Sequence, residues 1–275
     1  MIYFTKMQGL GNDFIVVDNT QGNVCFSNEE IRELADRKFG IGFDQLLMVE
    51  QAMSPGVDFQ YVIFNADGSE VAQCGNGARC FARYVVEKDL INSRKITVET
   101  RSGIMTLEVN RDNSVRVNMG AAIFEPSTVP IATETMAKEY VVEGVSIGAL
   151  SMGNPHAVII SDSFSDGDIK SIGTKMQQSD FFPKSANIGF MSVVNRNEVN
   201  LRVYERGVGE TLACGSGAAA AVIHGQQMDL LDDIVTVHLL GGDALIEYQS
   251  NGDVFLSGPA EFVFEGTIKH RSDSF

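Results

Sequence analysis

The chain has 275 residues and a mass of 29.9 kDa, room for one large domain or two ordinary ones. Apolar residues make up 44% and charged residues 21%, near the globular average, which excludes a disordered chain, a collagen and a coiled-coil rod. Acidic residues outnumber basic ones 36 to 21 for a net charge of −15, and no block of Lys or Arg gathers anywhere, so no nucleic-acid partner is expected.

Taken in chain order, the N-terminal MIYFTKMQGLGNDF carries no apolar run of signal length, and no later segment approaches the ~20 apolar residues of a membrane span. A cytoplasmic protein without a membrane partner is expected. Strand-like runs follow at 14–18, 45–50, 59–66, 96–100, 104–110, 158–161, 190–195, 199–205, 234–240 and 262–266, most alternating or β-branched with Gly, Asn or Asp between them. Helical periodicity is confined to 28–38, capped by Ser27 or Asn28, and to 76–89 and 215–229. The class is α+β with strands in the majority. Residues 121–140 hold Pro126 and Pro130 and no clear strand, and read as a connection between two bodies.

An internal repeat supports that division. Residues 69–85 align without gaps on 209–225, sharing Glu70/Glu210, Cys74/Cys214, Gly75/Gly215, Gly77/Gly217 and Ala78/Ala218. Two weaker matches fall in the same order, Gly11-Asn12 with Gly153-Asn154 and Ile41-Gly42-Phe43 with Ile188-Gly189-Phe190. The expected organisation is two pseudo-symmetric, strand-rich domains from a duplication, 1–118 and 119–262, with 263–275 crossing back to the first.

Each Cys-Gly-x-Gly-Ala element follows a strand, turns through glycines and enters an apolar stretch suited to a helix. Its cysteine therefore caps a helix N-terminus, where backbone N–H groups and the helix dipole stabilise a thiolate and hold a carboxylate. A lone cysteine before a helix is ordinarily packing. Two at equivalent points of a duplicated fold are different, because a pseudo-twofold arrangement would bring both sulfurs to one cleft between the halves. Cys80 aligns with Ala220 and Cys25 has no counterpart, so both read as packing or surface residues. Two facing thiols suit reversible disulfide chemistry or proton transfer on opposite faces of one carbon. A redox pair is usually close in sequence, whereas two-base stereoinversion needs the symmetry seen here. The four cysteines are too sparse for a disulfide scaffold.

The segments KMQGLGNDF (6–14), NADGSEVAQCGNGARC (65–80), GNPHAV (153–158), NIGF (187–190), YERGVGETLACGSGAAAA (204–221) and GPAEFVFEG (258–266) together resemble diaminopimelate epimerase, over residues 2 to 266. The superfamily also holds proline racemases and 4-hydroxyproline epimerases with the same paired cysteines, and these are the alternative reading of substrate. Many members carry a further Cys where this chain has Ala219. The resemblance implies a sheet wrapped around a central helix in each half. It also implies a cofactor-independent, PLP-independent isomerase of lysine and peptidoglycan-precursor biosynthesis, with diaminopimelate as its small-molecule partner and a homodimer as its assembly. It places Cys74 and Cys214 as the catalytic thiols, His156 and Glu205 assisting them, and Asn12, Gln45, Asn65, Asn154, Asn187, Glu205 and Arg206 around the ligand.

Those roles agree with the residue chemistry. The amides at Gly75-Asn76 and Gly215-Ser216 would hold an α-carboxylate and stabilise charge built up as the α-proton leaves. Arg206 suits a distal carboxylate. Asn12 and Asn154, each after a Gly, serve a turn or a ligand equally well. An Arg206–Glu205 surface ion pair is the common fate of such neighbours, but Glu205 aligns with Asn65, and unlike polar groups at equivalent positions suit an unsymmetrical ligand. No Walker-type loop occurs, the G-x-G-N at 9–12 precedes a strand rather than a helix, and no His/Cys cluster marks a metal site. No metal and no cofactor are expected.

Overall fold

The computed structural model describes residues 1–72 and 74–269. The chain divides into two compact units, Met1–Val117 with the segment from Gly258 onward, and Asn118–Ser257. In the first run β1 (Ile2–Gly9), β2 (Asn12–Asp18), α1 (Asn28–Ala35), β3 (Gln45–Gln51), β4 (Phe59–Asn65), β5 (Glu70–Val71), α2 (Gly75–Glu87), β6 (Lys95–Thr100), β7 (Gly103–Val109) and β8 (Val115–Ala121). After β9 (Tyr140–Val142) come β10 (Val145–Ser151), β11 (Pro155–Ile160), α3 (Asp166–Gln177), β12 (Asn187–Asn195), β13 (Glu198–Glu205), β14 (Gly209–Thr211), α4 (Gly215–Gln227), β15 (Ile234–Leu239), β16 (Gly242–Tyr248) and β17 (Asp253–Gly258). The last strand, β18 (Glu261–Ile268), pairs along β1 from Gln8↔Glu261 to Ile2↔Ile268. A complete ladder on β1 needs all of β18, so the returning segment starts at Gly258 rather than at 263. The part of the expected segment at 270–275 lies outside the described residues.

The two units repeat one topology. β1–β2 and β10–β11 are antiparallel, and β2–β3 and β11–β12 are parallel across a helix. β3–β4 and β12–β13 are antiparallel, as are β4–β5 and β13–β14. β4–β6 and β13–β15 are parallel across the second helix, and a meander closes each unit, β6–β7–β8 and β15–β16–β17. Register also identifies equivalent residues. Phe14 pairs with Gln45 and His156 pairs with Asn187, so Phe14 corresponds to His156 and Gln45 to Asn187. Gln45 faces Asn65, and the Ile188↔Tyr204 register sets Asn187 opposite Glu205. The match of Ile41-Gly42-Phe43 with Ile188-Gly189-Phe190 is therefore a coincidence. The first triplet precedes β3, whereas the second lies inside β12, where its true counterpart begins at Leu46.

Burial explains the layers. In the second unit Val158, Met191, Val199, Leu201 and Val203 pack on α4, whose residues Gly217 to Gly225 are all buried. Ala157, Ile159, Ile188 and Phe190 point the other way, onto Ile169 and Met176 of α3. Alternate residues of one strand thus feed two cores. In the first unit Ile15, Val17, Leu46 and Met48 pack on Ile31 and Ala35 of α1. Nearly uniform small apolar composition allows α4 to be enclosed on every side.

The structure corrects three expectations. Residues 121–140 do not bridge two bodies. Val129 and Ile131 are buried in the second core, Ala132 donates to the Phe181 carbonyl, and Ile123 bridges to Ser151. Helix α1 ends at Ala35 with Asp36 as its C-cap, short of 38, while Ser27 is the N-cap in a capping box with Glu30. An unexpected helix, α3, starts at a second capping box, Ser165 with Asp168; its two glycines and sparse apolar residues weaken the periodic signal.

Candidate active site

In the first unit Cys74 is the N-cap of α2, in extended conformation at φ −145° and ψ 122°. Its carbonyl accepts the Ala78 N–H that opens the helix at 2.8 Å and the Tyr61 hydroxyl at 3.2 Å. A Cβ on Gly77 would stand 2.5 Å from that hydroxyl, so glycine is required for Tyr61 to reach across the first turn. The thiol lies 3.8 Å from Asn12 Oδ1, which also accepts from Asn76 Nδ2 at 3.4 Å. Gln45 Nε2 donates to Asn65 Oδ1 at 3.0 Å. Gln45 Oε1 is buried without a partner among the described residues, an acceptor suited to an ammonium group.

A charged network stands behind Asn12. Asp44 Oδ2 accepts from Asn12 Nδ2 at 2.8 Å and from the Asp13 N–H at 3.1 Å. Arg37 reaches both Asp13 oxygens at 2.9 and 2.7 Å and Asp44 Oδ1 at 2.7 Å. Buried Lys6 pairs with Asp13 at 2.6 Å and also donates to the Gly42 carbonyl. Burial works to raise the Asp13 pKa, but Arg37 and Lys6 together hold it well below the carboxylate range.

In the second unit Cys214 caps α4 with similar backbone, φ −128° and ψ 109°, and its carbonyl accepts from Ala218 at 2.9 Å. Here the residue is 6% exposed and its sulfur 3.6 Å from Ser216 Oγ. Burial pushes the thiol pKa up, the neighbouring Glu205 carboxylate adds to the rise, and Ser216 and the Gly217 N–H oppose it. Glu205 is fixed from its other side by Thr211 Oγ1 at 2.6 Å. His156 is buried with Nε2 3.0 Å from Asn154 Oδ1. Burial, then the charge of Arg206, depresses the imidazole to about 3, so at neutral pH it is an uncharged hydrogen-bonding group.

Arg206 is exposed. Its guanidinium donates to the Lys184 carbonyl at 3.0 Å and its backbone N–H to Asn187 Oδ1 at 2.9 Å. Glu205 and Arg206 thus engage separate partners rather than one another. Asn12 and Asn76 stand beside Cys74, Gln45 and Asn65 pair with each other on β3 and β4, and Glu205 and Ser216 stand beside Cys214. Cys80 is fully buried with its thiol pushed up to about 12 by burial, and Cys25 is exposed in a loop.

Lys6, Asp13, Arg37, Asp44, Tyr61 and Thr211 join the site only through the fold. Lys6 and Asp13 sit inside the quoted KMQGLGNDF, and Asp44 directly precedes Gln45; those charges beside Asn12 and Gln45 are the available signal.

A family model described as diaminopimelate epimerase matches residues 4–125 and 148–263. The diaminopimelate epimerase of Vesicomyosocius okutanii is 56% identical over 269 residues, 98% of this chain and 99% of that protein. Among solved structures, a predicted epimerase from Pseudomonas aeruginosa superposes with a TM-score of 0.69 at 13% identity, covering 98% of this chain and 99% of the other. A hydroxyproline epimerase from Agrobacterium vitis with bound trans-4-hydroxy-L-proline gives a TM-score of 0.68 at 12% identity, covering 97% and 90%. At these identities the solved structures share the fold: strand-rich halves, each with few helices.

Proposed function

Since this chain belongs to the diaminopimelate epimerase family and is an epimerase, we propose that it interconverts LL- and meso-2,6-diaminopimelate with Cys74 and Cys214 as the two acid–base groups. The observation that carries the reading is the repeated helix start. Two cysteines at topologically equivalent N-caps lead helices whose first N–H groups have no acceptor within the helix. In one direction a thiolate removes the α-proton and the other thiol delivers a proton to the opposite face; in the reverse direction the roles exchange.

Each half of the duplication contributes one thiol and one helix start. The amides at Gly75-Asn76 and Gly215-Ser216 hold the α-carboxylate, where helix dipoles favour negative charge and stabilise the carbanion. Asn12, Gln45 and Asn65 offer amide groups and the orphan Gln45 oxygen to an ammonium. Asn154, Asn187 and Arg206 take the distal end, with Arg206 placed for a carboxylate. Glu205 keeps the Cys214 proton in place until it is needed, and neutral His156 holds Asn154. A charged distal end distinguishes this ligand from proline or hydroxyproline. The family likeness also supports a homodimer in the cytoplasm that works without a cofactor; among the described residues no helix is long and apolar enough to cross a membrane.

The test is turnover of LL-diaminopimelate in deuterated water. Label at one α-carbon, accumulating with meso product, is the expected result. Absence of both, or equal labelling of proline by the same protein, would reject the substrate assignment.

A further inference from the structure

We propose that Asp44 is a positioning residue that sets the protonation of Cys74 by locking the amide of Asn12. This rests on the proposed role of Cys74 but concerns a residue two side chains removed from it. An asparagine amide has an acceptor end and a donor end of nearly equal shape, and its hydrogen-bond partners choose which way it points. A carboxylate oxygen can only accept. Because Asp44 Oδ2 lies 2.8 Å from Asn12 Nδ2, the donor end is committed to Asp44, and Oδ1 is left facing Cys74 Sγ at 3.8 Å and Asn76 Nδ2 at 3.4 Å. An acceptor aimed at the sulfur favours S–H over thiolate, since hydrogen bonding to the neutral form disfavours the charged one.

Asp44 is itself held at three points. Its Oδ2 takes the Asp13 N–H at 3.1 Å and its Oδ1 takes Arg37 at 2.7 Å, while its own N–H donates to Asp13 Oδ1 at 2.9 Å. Lys6 and Arg37 fix Asp13 in turn. Neither Asp44 oxygen can be replaced by an NH₂ group without setting donor against donor, toward Arg37 on one side or toward Asn12 and the Asp13 N–H on the other. The network is thus a rigid mount for one amide. The consequence reaches the chemistry: of the two singly protonated forms of a two-thiol site, Asp44 favours the one with the proton on Cys74. Among the described residues, Tyr61 from β4 and Arg79 and Cys80 on α2 also feel the charge of Cys74, and the variants below leave them untouched.

The experiment measures alkylation of Cys74 against pH, without substrate, by iodoacetamide and peptide mass mapping. Cleavage after Arg79 separates Cys74 from Cys80. In Asp44→Asn the amide of Asn12 is released to turn its NH₂ toward the sulfur, and the midpoint should fall by about one pH unit. Removing a negative charge would lower it too, but that contribution is screened in 1 M salt, whereas an amide reversal persists. The double variant Asn12→Asp with Asp44→Asn restores a donor–acceptor pair and returns an oxygen to the thiol, so its midpoint should recover to the parent's or above. Asp44→Ala carries the measurement if Asp44→Asn does not fold. A midpoint unmoved in the folded variant, a shift abolished by salt, or a double variant that stays low would overturn the inference. Parent protein that fails to label diaminopimelate in deuterated water would reject the function while leaving this thiol titration readable.

Discussion

The starts of α2 and α4 share a backbone and differ in almost everything around it. Both begin at a cysteine in extended conformation followed by Gly-x-Gly, so both present the same cluster of N–H groups. Cys74 is half-buried and faces a neutral amide oxygen, while Cys214 is buried beside a carboxylate, a hydroxyl and a backbone N–H. The same divergence runs through the two units. His156 stands where the first unit has Phe14, and His224 stands in α4 where α2 has Tyr84. Duplication retained the cluster of main-chain N–H groups, which needs only glycines and a helix. The side chains then diverged, as the proposed unsymmetrical ligand and two opposed proton transfers would require of each half.

Removing the thiols one at a time carries the largest expected effect. Cys74→Ala and Cys214→Ala should each lower the epimerisation rate by about 10³-fold or more, since either loss leaves one face of the carbanion without a proton donor or acceptor. Cys25→Ala and Cys80→Ala should keep turning over. A Cys214→Ala protein with near-parental rate would mean that the two helix starts are alike in shape only.

Acid separates the units next. His156 is buried and depressed to about 3, so the folded state leaves it neutral while the unfolded chain takes up a proton near pH 6.5. Its contribution to stability is intact above that value and is lost as pH falls through it, about 2 kcal/mol by pH 5. Burial depresses His224 as well and adds to the loss in the same window. In the first unit the depressed acids are carboxylates, Asp13 the most strongly held, whose contribution persists until pH falls below the ordinary carboxylate range. Hydrogen exchange at pH 5 against pH 7.5 should therefore show the second unit loosening first, and His156→Phe should flatten the change. Equal loosening of both units would contradict it.

The smallest effect concerns the two thiols directly. Burial is the main cause of the raised Cys214 pKa, and Glu205 adds to it. Glu205→Gln should move the Cys214 alkylation midpoint down by about one pH unit and leave Cys74 in place. Movement of both together would show that Glu205 acts on the molecule as a whole.

Elements with local causes can be read directly along the chain. Cys-Gly-x-Gly before an apolar stretch dictates a helix start, the periodicity from 28 with Ser27 or Asn28 as cap dictates another, and long alternating runs such as 199–205 dictate strands. The shared residues around Cys74 and Cys214 made the duplication legible, and with it both cysteines. Tertiary structure decided what depends on pairing across the chain. β1, β8, β10, β16 and β17 lie outside the strand-like runs, and β5, β9 and β14 are too short to carry a pattern at all; partners across a ladder define them. The register, not letter matching, showed that Ile188 answers Leu46. Above all, the direction in which Asn12 points follows from Asp44, Asp13, Arg37 and Lys6 meeting in space. A hydrogen bond needs its partners within about 3 Å, and that condition is set by folding rather than by spacing along the chain.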